Sequence, residues 1–194
     1  MSVVSFIVIA IAFGISAMLL MRRCTEEVPV ALSAGLLISL TLAVVHAAIF
    51  CLGILVGNGL RFSLPDGSST PFWRQNAFSF LGMAVFVAVK MLWPYMGKRT
   101  RPMAFDLNAG TLRVLLFTVA TGINGFLLGI GVGFVALLSD QLHAALWPLF
   151  TAIFLFSYLG IMYGRQRVKL RPRRWMAVAA VMLLFVAIAA VVNA

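Results

Sequence analysis

Six long apolar stretches, joined by short polar connections, dominate the hydropathy pattern of the chain. An apolar stretch of about 20 residues is long enough to cross the hydrocarbon core of a bilayer as an α-helix. Lipid offers the backbone no hydrogen-bond partner, so such stretches form helices. We therefore predict an all-α integral membrane protein with six transmembrane helices, at residues 3–21, 31–57, 76–96, 113–138, 145–164 and 175–193.

Two short apolar sequence segments, called phrases below, each occur twice along the chain in similar form. Residues 12–20 read AFGISAMLL and residues 120–128 read ATGINGFLL, with five of nine positions identical. LGILVG at 52–57 returns as LGIMYG at 159–164, with four of six positions identical. The two offsets, 108 and 107 residues, are nearly equal. Together they place the first predicted helix over the fourth and the second over the fifth.

These offsets divide the chain into two three-helix repeats, residues 1–97 and 98–194. Because three helices is an odd number, the second copy is predicted to cross the membrane in the opposite direction. Inverted repeats are typical of secondary transporters, whose binding sites lie near the bilayer midplane at the repeat interface. Ser16 and Asn124 occupy the same position in the two copies, so we expect them to meet at a central site.

Small residues on the fourth predicted helix suggest close helix packing. Gly125, Gly129 and Gly133 follow one another at intervals of four residues. This spacing brings the glycines to one helix face and lets a neighbouring backbone approach. We predict a packing role for them, beside any site that the helix carries.

The composition of the chain indicates a membrane protein, and the distribution of its basic residues predicts its orientation. The chain is 63% hydrophobic and 10% charged, whereas a soluble domain carries about 25% charged residues. The first, third and fifth connections hold 12 basic residues, and the other connections hold two. The positive-inside rule predicts both termini outside and loops 1, 3 and 5 in the cytoplasm. The 12 are Arg22, Arg23, Lys98, Arg99, Arg101, Arg113, Arg165, Arg167, Lys169, Arg171, Arg173 and Arg174; the two are Arg61 and Arg74.

The net charge of +10 has consequences for the partners that we expect. Basic loops at the cytoplasmic surface attract anionic lipid headgroups. Nucleic-acid binding would require a basic domain or stripe outside the membrane, and no connection is long enough to form one. We therefore predict membrane lipids as partners and no nucleic acid.

Four polar residues within the predicted helices are candidate substrate- or ion-binding residues. They are Asn124, which is costly in lipid unless its amide is paired; His46, an ionisable side chain near the centre of the second helix; Ser16; and Lys90. Simpler alternatives exist for each. Asn124 could bridge two helices, Ser16 could bond its own helix backbone, His46 could be neutral and bonded to backbone, and Lys90 could snorkel to the cytoplasmic interface.

No catalytic or cofactor motif is present. The sequence has no Ser/His/Asp set, no pair of carboxylates within a predicted helix and no metalloprotease helix motif. Cys24, expected in a loop, and Cys51 form no CxxC motif, and no Cys/His cluster indicates a zinc site. We predict that the protein is not an enzyme and holds neither a cofactor nor a metal. His143 is expected in a short outer loop at residues 139–144.

The segments ATGINGFLLGIGVGF (120–134) and LGIMYGR (159–165) resemble the bacterial manganese efflux pump (MntP-like) family, within the lysine-exporter-type superfamily. Lys90 and Met91 stand where that family tends to have Arg-Met on its third helix. The resemblance implies a six-helix protein of the bacterial inner (plasma) membrane, built as two three-helix repeats, with activity in efflux. By the same resemblance, the central positions of the first, second and fourth helices carry the transported ion.

At those central positions the chain departs from the family. Family aspartates fall on Ser16 and Asn124, and a family glutamate falls on His46. Mn²⁺ is a hard cation that favours carboxylate, carbonyl and water ligands, and a buried charge must be paired. The three neutral side chains could supply oxygen and nitrogen ligands without compensating charge.

Two hypotheses of different classes follow. In the first, the protein is a secondary transporter that exports a cation or small solute through a central site lined by Ser16, His46 and Asn124, with proton coupling at His46. In the second, it is a transport-inactive relative that serves as a membrane scaffold or as a subunit of a larger complex, docking a membrane-protein partner. The absent acidic ligands and the almost entirely apolar sixth helix fit the second hypothesis. Solute movement by the purified protein would separate the two.

Overall fold

The computed structural model describes residues 3–28, 30–62, 72–96, 111–135 and 140–193. Each of its six helices is long and apolar enough to cross a membrane. The predicted all-α class with six helices of membrane-spanning length is therefore confirmed, and these helices fit a multi-pass membrane protein. The basic residues Lys98, Arg99 and Arg101 lie outside the described residues. The helices are α1 (Val3–Glu27), α2 (Leu32–Phe62), α3 (Phe72–Met96), α4 (Thr111–Val135), α5 (Asp140–Arg165) and α6 (Pro172–Val192).

Helix α1 continues six residues beyond its predicted end at residue 21. Two ion pairs stabilise this polar extension, Arg22 with Glu26 at 3.3 Å and Arg23 with Glu27 at 3.8 Å. Oppositely charged residues four positions apart lie on the same helix face and support the helix in water. Cys24, which was expected in a loop, is instead buried on this helical extension. Hydropathy alone missed it because hydropathy marks the hydrocarbon core and not the end of the helix.

Helix ends elsewhere also differ from the prediction. Helix α5 begins at Asp140, so the prediction of a loop at residues 139–144 was wrong, and His143 is an exposed residue of the first turns of α5. Helix α6 begins at Pro172, where the absent backbone N–H costs no helical hydrogen bond. Pro94 and Pro148 lie inside α3 and α5. Membrane helices tolerate internal proline because neighbouring groups satisfy the freed carbonyl.

The principal helix contacts form a regular set. Helix α1 packs against α5 and α6, α2 packs against α4 and α5, and α3 packs against α4 and α6. Exchanging α1, α2 and α3 with α4, α5 and α6 returns the same set of pairs. The pair α1/α5 then becomes α4/α2, and α1/α6 becomes α4/α3. The pairs α2/α5 and α3/α6 map onto themselves.

Helices α2 and α4 pack closely along a line of four glycines, which we call a glycine seam: Gly53, Gly57, Gly129 and Gly133. A methyl group at Gly53 would overlap the carbonyl oxygen of Phe126, and one at Gly57 would overlap that of Ile130. From the other side, Gly129 and Gly133 pack against the backbone of α2 equally closely. The packing role predicted for these two glycines is confirmed. Residue numbers rise together along the seam, so α2 and α4 run parallel.

The same seam recurs between α5 and α1. A methyl group at Gly160 would overlap the carbonyl oxygen of Met18, and one at Gly164 would overlap that of Arg22. These glycines follow their α2 counterparts by 107 residues, and the two carbonyls precede their α4 counterparts by 108. Both values equal the offsets between the repeated phrases. Helices α1 and α5 also run parallel.

Candidate functional site

His46 is the buried titratable side chain at the middle of α2, with 7% of its surface exposed. Its Nδ1 atom lies 2.9 Å from the carbonyl oxygen of Leu42, one turn earlier on the same helix. A carbonyl oxygen only accepts hydrogen bonds, so Nδ1 carries a proton and donates it. The simpler alternative, a histidine bonded to backbone, therefore holds for Nδ1 and leaves the second ring nitrogen to be explained.

The second ring nitrogen of His46 faces Thr121 of α4. The Nε2 atom lies 3.5 Å from the Thr121 hydroxyl oxygen, and that hydroxyl donates to the carbonyl of Thr118 at 2.9 Å. With the hydroxyl proton directed to Thr118, the threonine oxygen is free to accept from Nε2 when that nitrogen is also protonated. A neutral ring can instead accept the Thr121 hydroxyl proton at Nε2, so both protonation states of His46 fit this contact.

Thr121 was not among the residues predicted from the sequence. A threonine in a membrane helix commonly donates to its own backbone, as Thr121 also does. Its additional contact with His46 therefore could not be expected from residue type alone. The available signal was its spacing, because Thr121 precedes Asn124 by three residues and shares a helix face with it.

Asn124 is partly buried on α4, and its side-chain oxygen Oδ1 is buried without a hydrogen-bond partner among the described residues. The alternative of an oxygen that bridges two helices is therefore not observed. An unpaired buried amide oxygen costs about 1–3 kcal/mol. Asn124 follows Thr121 by three residues, so the two side chains lie on one face of α4.

Ser16 holds the position in α1 that Asn124 holds in α4, the fourteenth residue of a 25-residue helix in both cases. Ser16 is partly buried and does not donate to Asn124 Oδ1, which is unpartnered. The Phe13 ring, three residues before Ser16, lies 4.0 Å from a methyl group built on Gly125, the residue after Asn124.

Lys90 is separated from the other three candidates. Its side chain is exposed on α3 beside Val89 and Trp93, which are 51% and 67% exposed. The inward face of α3 carries Val87 and Met91 instead. Lys90 therefore lies on the outer surface of the bundle, in agreement with snorkelling.

A second unpartnered polar atom lies on the inward face of α2. Ser39 is fully buried, and its hydroxyl has no hydrogen-bond partner among the described residues. It precedes His46 by seven residues, which places both on one helix face, about 10 Å apart along the axis. The sequence does not single out Ser39, because a single serine in an apolar helix has no distinguishing context.

The donor set at this site is neutral. Thr121 and Asn124 offer oxygen atoms, and His46 offers ring nitrogen. Within the described ranges, no three His, Cys, Asp or Glu side chains are grouped so that they could hold a metal ion. Chemically, the arrangement can accept and donate hydrogen bonds and can take up one proton at His46.

Comparison of the chain with protein-family models, with curated proteins and with solved structures finds no match.

Proposed function

We propose that the protein is a secondary transporter built from two inverted three-helix repeats, residues 1–97 and 98–194. Two observations support this arrangement. The helix contacts are unchanged when the triplets are exchanged, and the two glycine seams use equivalent residues. Because α4 is parallel to α2, and successive membrane helices cross in opposite directions, α4 runs opposite to its counterpart α1. That is the relationship found between inverted repeats of transporters.

We infer that the substrate site is the polar centre formed by His46, Thr121 and Asn124. The observation that carries this proposal is the unpartnered oxygen of Asn124 near the middle of α4. A buried acceptor that no protein group satisfies is costly, and a substrate donor or a cation would satisfy it. The expected cargo is a small cation or solute that offers hydrogen-bond donors or positive charge to neutral oxygen atoms.

We infer proton coupling at His46 because its Nε2 atom faces the Thr121 hydroxyl and can either donate or accept there. Uptake of a proton at Nε2 completes the contact with Thr121, and its loss leaves a ring nitrogen that can accept a donor from the substrate. Substrate and proton would thus compete for one nitrogen atom. Competition of this kind is sufficient for exchange of the solute against a proton, as ionisable residues inside membrane transporters often provide.

The glycine seams indicate which helices would move together. Backbone contacts as close as Gly53 to Phe126 and Gly160 to Met18 join one helix of each repeat. Separating such seams would lose close packing, which is the principal attraction between helices in lipid. We therefore infer that α2 with α4 and α1 with α5 act as two units, which shift across the α2/α5 contact.

The test is transport by the purified protein in proteoliposomes that contain a pH-sensitive dye, with Mn²⁺ as the first cation offered and other cations and small solutes after it. We expect substrate-driven proton movement by the unaltered protein and its loss in the His46→Ala and Asn124→Ala variants. Thr118→Ala, which removes a hydroxyl bonded only to its own helix at Val114, is the matched control and should transport normally.

Two results would contradict the proposal. Transport unchanged in both His46→Ala and Asn124→Ala would remove the polar centre from the mechanism. Absence of transport of any solute, together with a stable partner protein on purification, would favour the scaffold hypothesis instead.

A further inference from the structure

The structure contains a charged cleft at the end of α1, away from the polar centre. Its volume is about 380 Å³, and α1 contributes Leu19, Arg22, Arg23, Glu26 and Glu27 to its lining. Tyr95 near the end of α3 and Pro172 at the start of α6 complete the described lining. The cleft therefore lies between three helix ends at one surface of the bundle, level with one lipid leaflet.

The charges in this cleft are layered along the α1 axis. The apolar Leu19 comes first, the two arginines follow, and the two glutamates come last. The Arg22 and Arg23 side chains are 12% and 28% exposed, whereas those of Glu26 and Glu27 are 42% and 55% exposed. The cations are therefore the deeper layer and the carboxylates the outer layer, about 6 Å further from the membrane centre.

One donor of the cationic layer has no acceptor among the described residues, whereas Arg22 Nε donates to the carbonyl of Val168 at 3.0 Å. Arg23 Nε is buried without a hydrogen-bond partner among the described residues, and its contact with Glu27 is long, at 3.8 Å. Helix α6 begins beside this layer, with no side-chain cap and no acidic residue in its first turn. Arg173 and Arg174 follow Pro172 there, so positive side chains are added to the positive end of the helix dipole. Charge of this sign at a helix start is unfavourable unless an anion compensates it.

The geometry points to a binding site for a phospholipid whose headgroup carries a primary ammonium beyond the phosphate, as in phosphatidylethanolamine. The order of groups in this lipid, from the membrane outward, is acyl chain, phosphate and ammonium. The order in the cleft is Leu19, the arginines with the start of α6, and the glutamates. Basic pockets between membrane helices bind lipid phosphates, and here the outer carboxylates favour an ammonium group above the phosphate. This lipid site is separate from the proposed transport centre and does not depend on transport.

Native mass spectrometry of the detergent-purified protein tests the site. The protein would be mixed with equal amounts of phosphatidylethanolamine, phosphatidylcholine and phosphatidylglycerol of identical acyl chains. A partly exposed charge pair changes affinity by a factor of up to about five. We therefore expect phosphatidylethanolamine adducts to exceed the other two by roughly three- to fivefold. Phosphatidylcholine keeps the positive charge but has no N–H donor for the glutamates.

Two variants test the outer glutamates and the deeper arginines of the site separately. Glu26→Gln/Glu27→Gln changes exposed side chains and should remove the preference for phosphatidylethanolamine over the other two lipids while lipid binding persists. Arg23→Gln should reduce all three adducts, and Arg165→Gln, at an exposed arginine at the end of α5, should leave the preference unchanged. Because the preference is a ratio within one sample, a change in protein yield does not affect it.

Several outcomes would overturn this inference. Equal binding of the three lipids by the unaltered protein, a preference for phosphatidylglycerol, or a preference that survives the double glutamate change would each exclude it. Displacement of the lipid by equimolar glycerophosphoethanolamine would show that a soluble headgroup, and not a membrane lipid, is the ligand.

Discussion

Gly160 of α5 lies so close to Met18 of α1 that a methyl group at residue 160 would overlap the Met18 carbonyl oxygen. Gly53 of α2 makes the equivalent contact with Phe126 of α4. Contacts of this kind tolerate no side chain, because the overlapping atom belongs to a helix backbone and cannot rotate away. They join helices that are distant in sequence and set the register of both parallel pairs.

We expect Gly53→Ala and Gly160→Ala to destabilise the protein, each by about 1–3 kcal/mol, as overpacking of a close-packed interior does. Thermal or denaturant unfolding in a mild detergent would measure the loss. Gly82→Ala is the control, since a methyl group at Gly82 has no neighbour within 4 Å. It should leave stability unchanged or raise it by up to about 1 kcal/mol, because alanine favours the helix. Equal effects of all three substitutions would contradict the close packing at Gly53 and Gly160.

The contact between His46 and Thr121 predicts a difference between two threonines on the same helix. Thr118 and Thr121 both bond their own backbone, and Thr121 in addition faces His46 at 3.5 Å. Thr121→Val should therefore cost about 0.6 kcal/mol more than Thr118→Val, the average for a hydrogen bond between membrane helices. Unfolding of both variants under identical conditions would measure the difference. Equal losses would show that the contact contributes nothing.

The contact between α2 and α5 can be locked with a disulfide. The Cβ position built at Gly35 lies 4.0 Å from Cβ of Ile161, close to the mean of about 3.8 Å across a disulfide. We expect Gly35→Cys/Ile161→Cys, with Cys24 and Cys51 replaced by serine, to form this bond on mild oxidation.

If α2 with α4 and α1 with α5 move as two units, that bond should abolish transport, and reduction should restore it. The single-cysteine variants under the same oxidant are the controls. A protein that cross-links fully and still transports would contradict movement across this contact.

Two exposed residues at opposite ends of α5 test the predicted orientation. His143 lies near the start of the helix and Gln166 immediately beyond its end. In the variant with Cys24 and Cys51 replaced by serine, His143→Cys should react with a membrane-impermeant maleimide added to intact cells. Gln166→Cys should react only after the membrane is opened. The opposite result would place the basic connections outside.

The hydropathy predicted the six helices, and the repeated phrases mark where the close glycine contacts fall. Gly53 and Gly160 occupy corresponding positions in the phrases and make corresponding backbone contacts, because a close approach of two helices restricts residue type strongly. The end of α1 could not be predicted from apolar residues, since ion pairs such as Arg22–Glu26 extend a helix into water.

The residues of the polar centre were harder to predict from the sequence than the glycine contacts between helices. His46 and Asn124 were recognised because polar groups in apolar helices are costly, but Thr121 was not, as a threonine satisfies its own hydroxyl in most helices. The outward direction of Lys90 depends on the rotation of α3, which its nearly uniform apolar sequence does not specify. The phenyl ring of Phe13 beside Gly125 likewise follows from packing, and the repeat alone suggested a direct contact between Ser16 and Asn124.

The central claim is that the polar centre at His46, Thr121 and Asn124 serves a transported solute, and water access to Asn124 tests it most directly. In the protein with Cys24 and Cys51 replaced by serine, Asn124→Cys would be compared with Ile123→Cys, whose position is 46% exposed on the outer face of α4. The account predicts that a small, charged thiol reagent modifies Asn124→Cys from the aqueous phase while Ile123→Cys, surrounded by lipid, stays unmodified. Absence of modification of Asn124→Cys from either side of the membrane, in a folded protein, would contradict it.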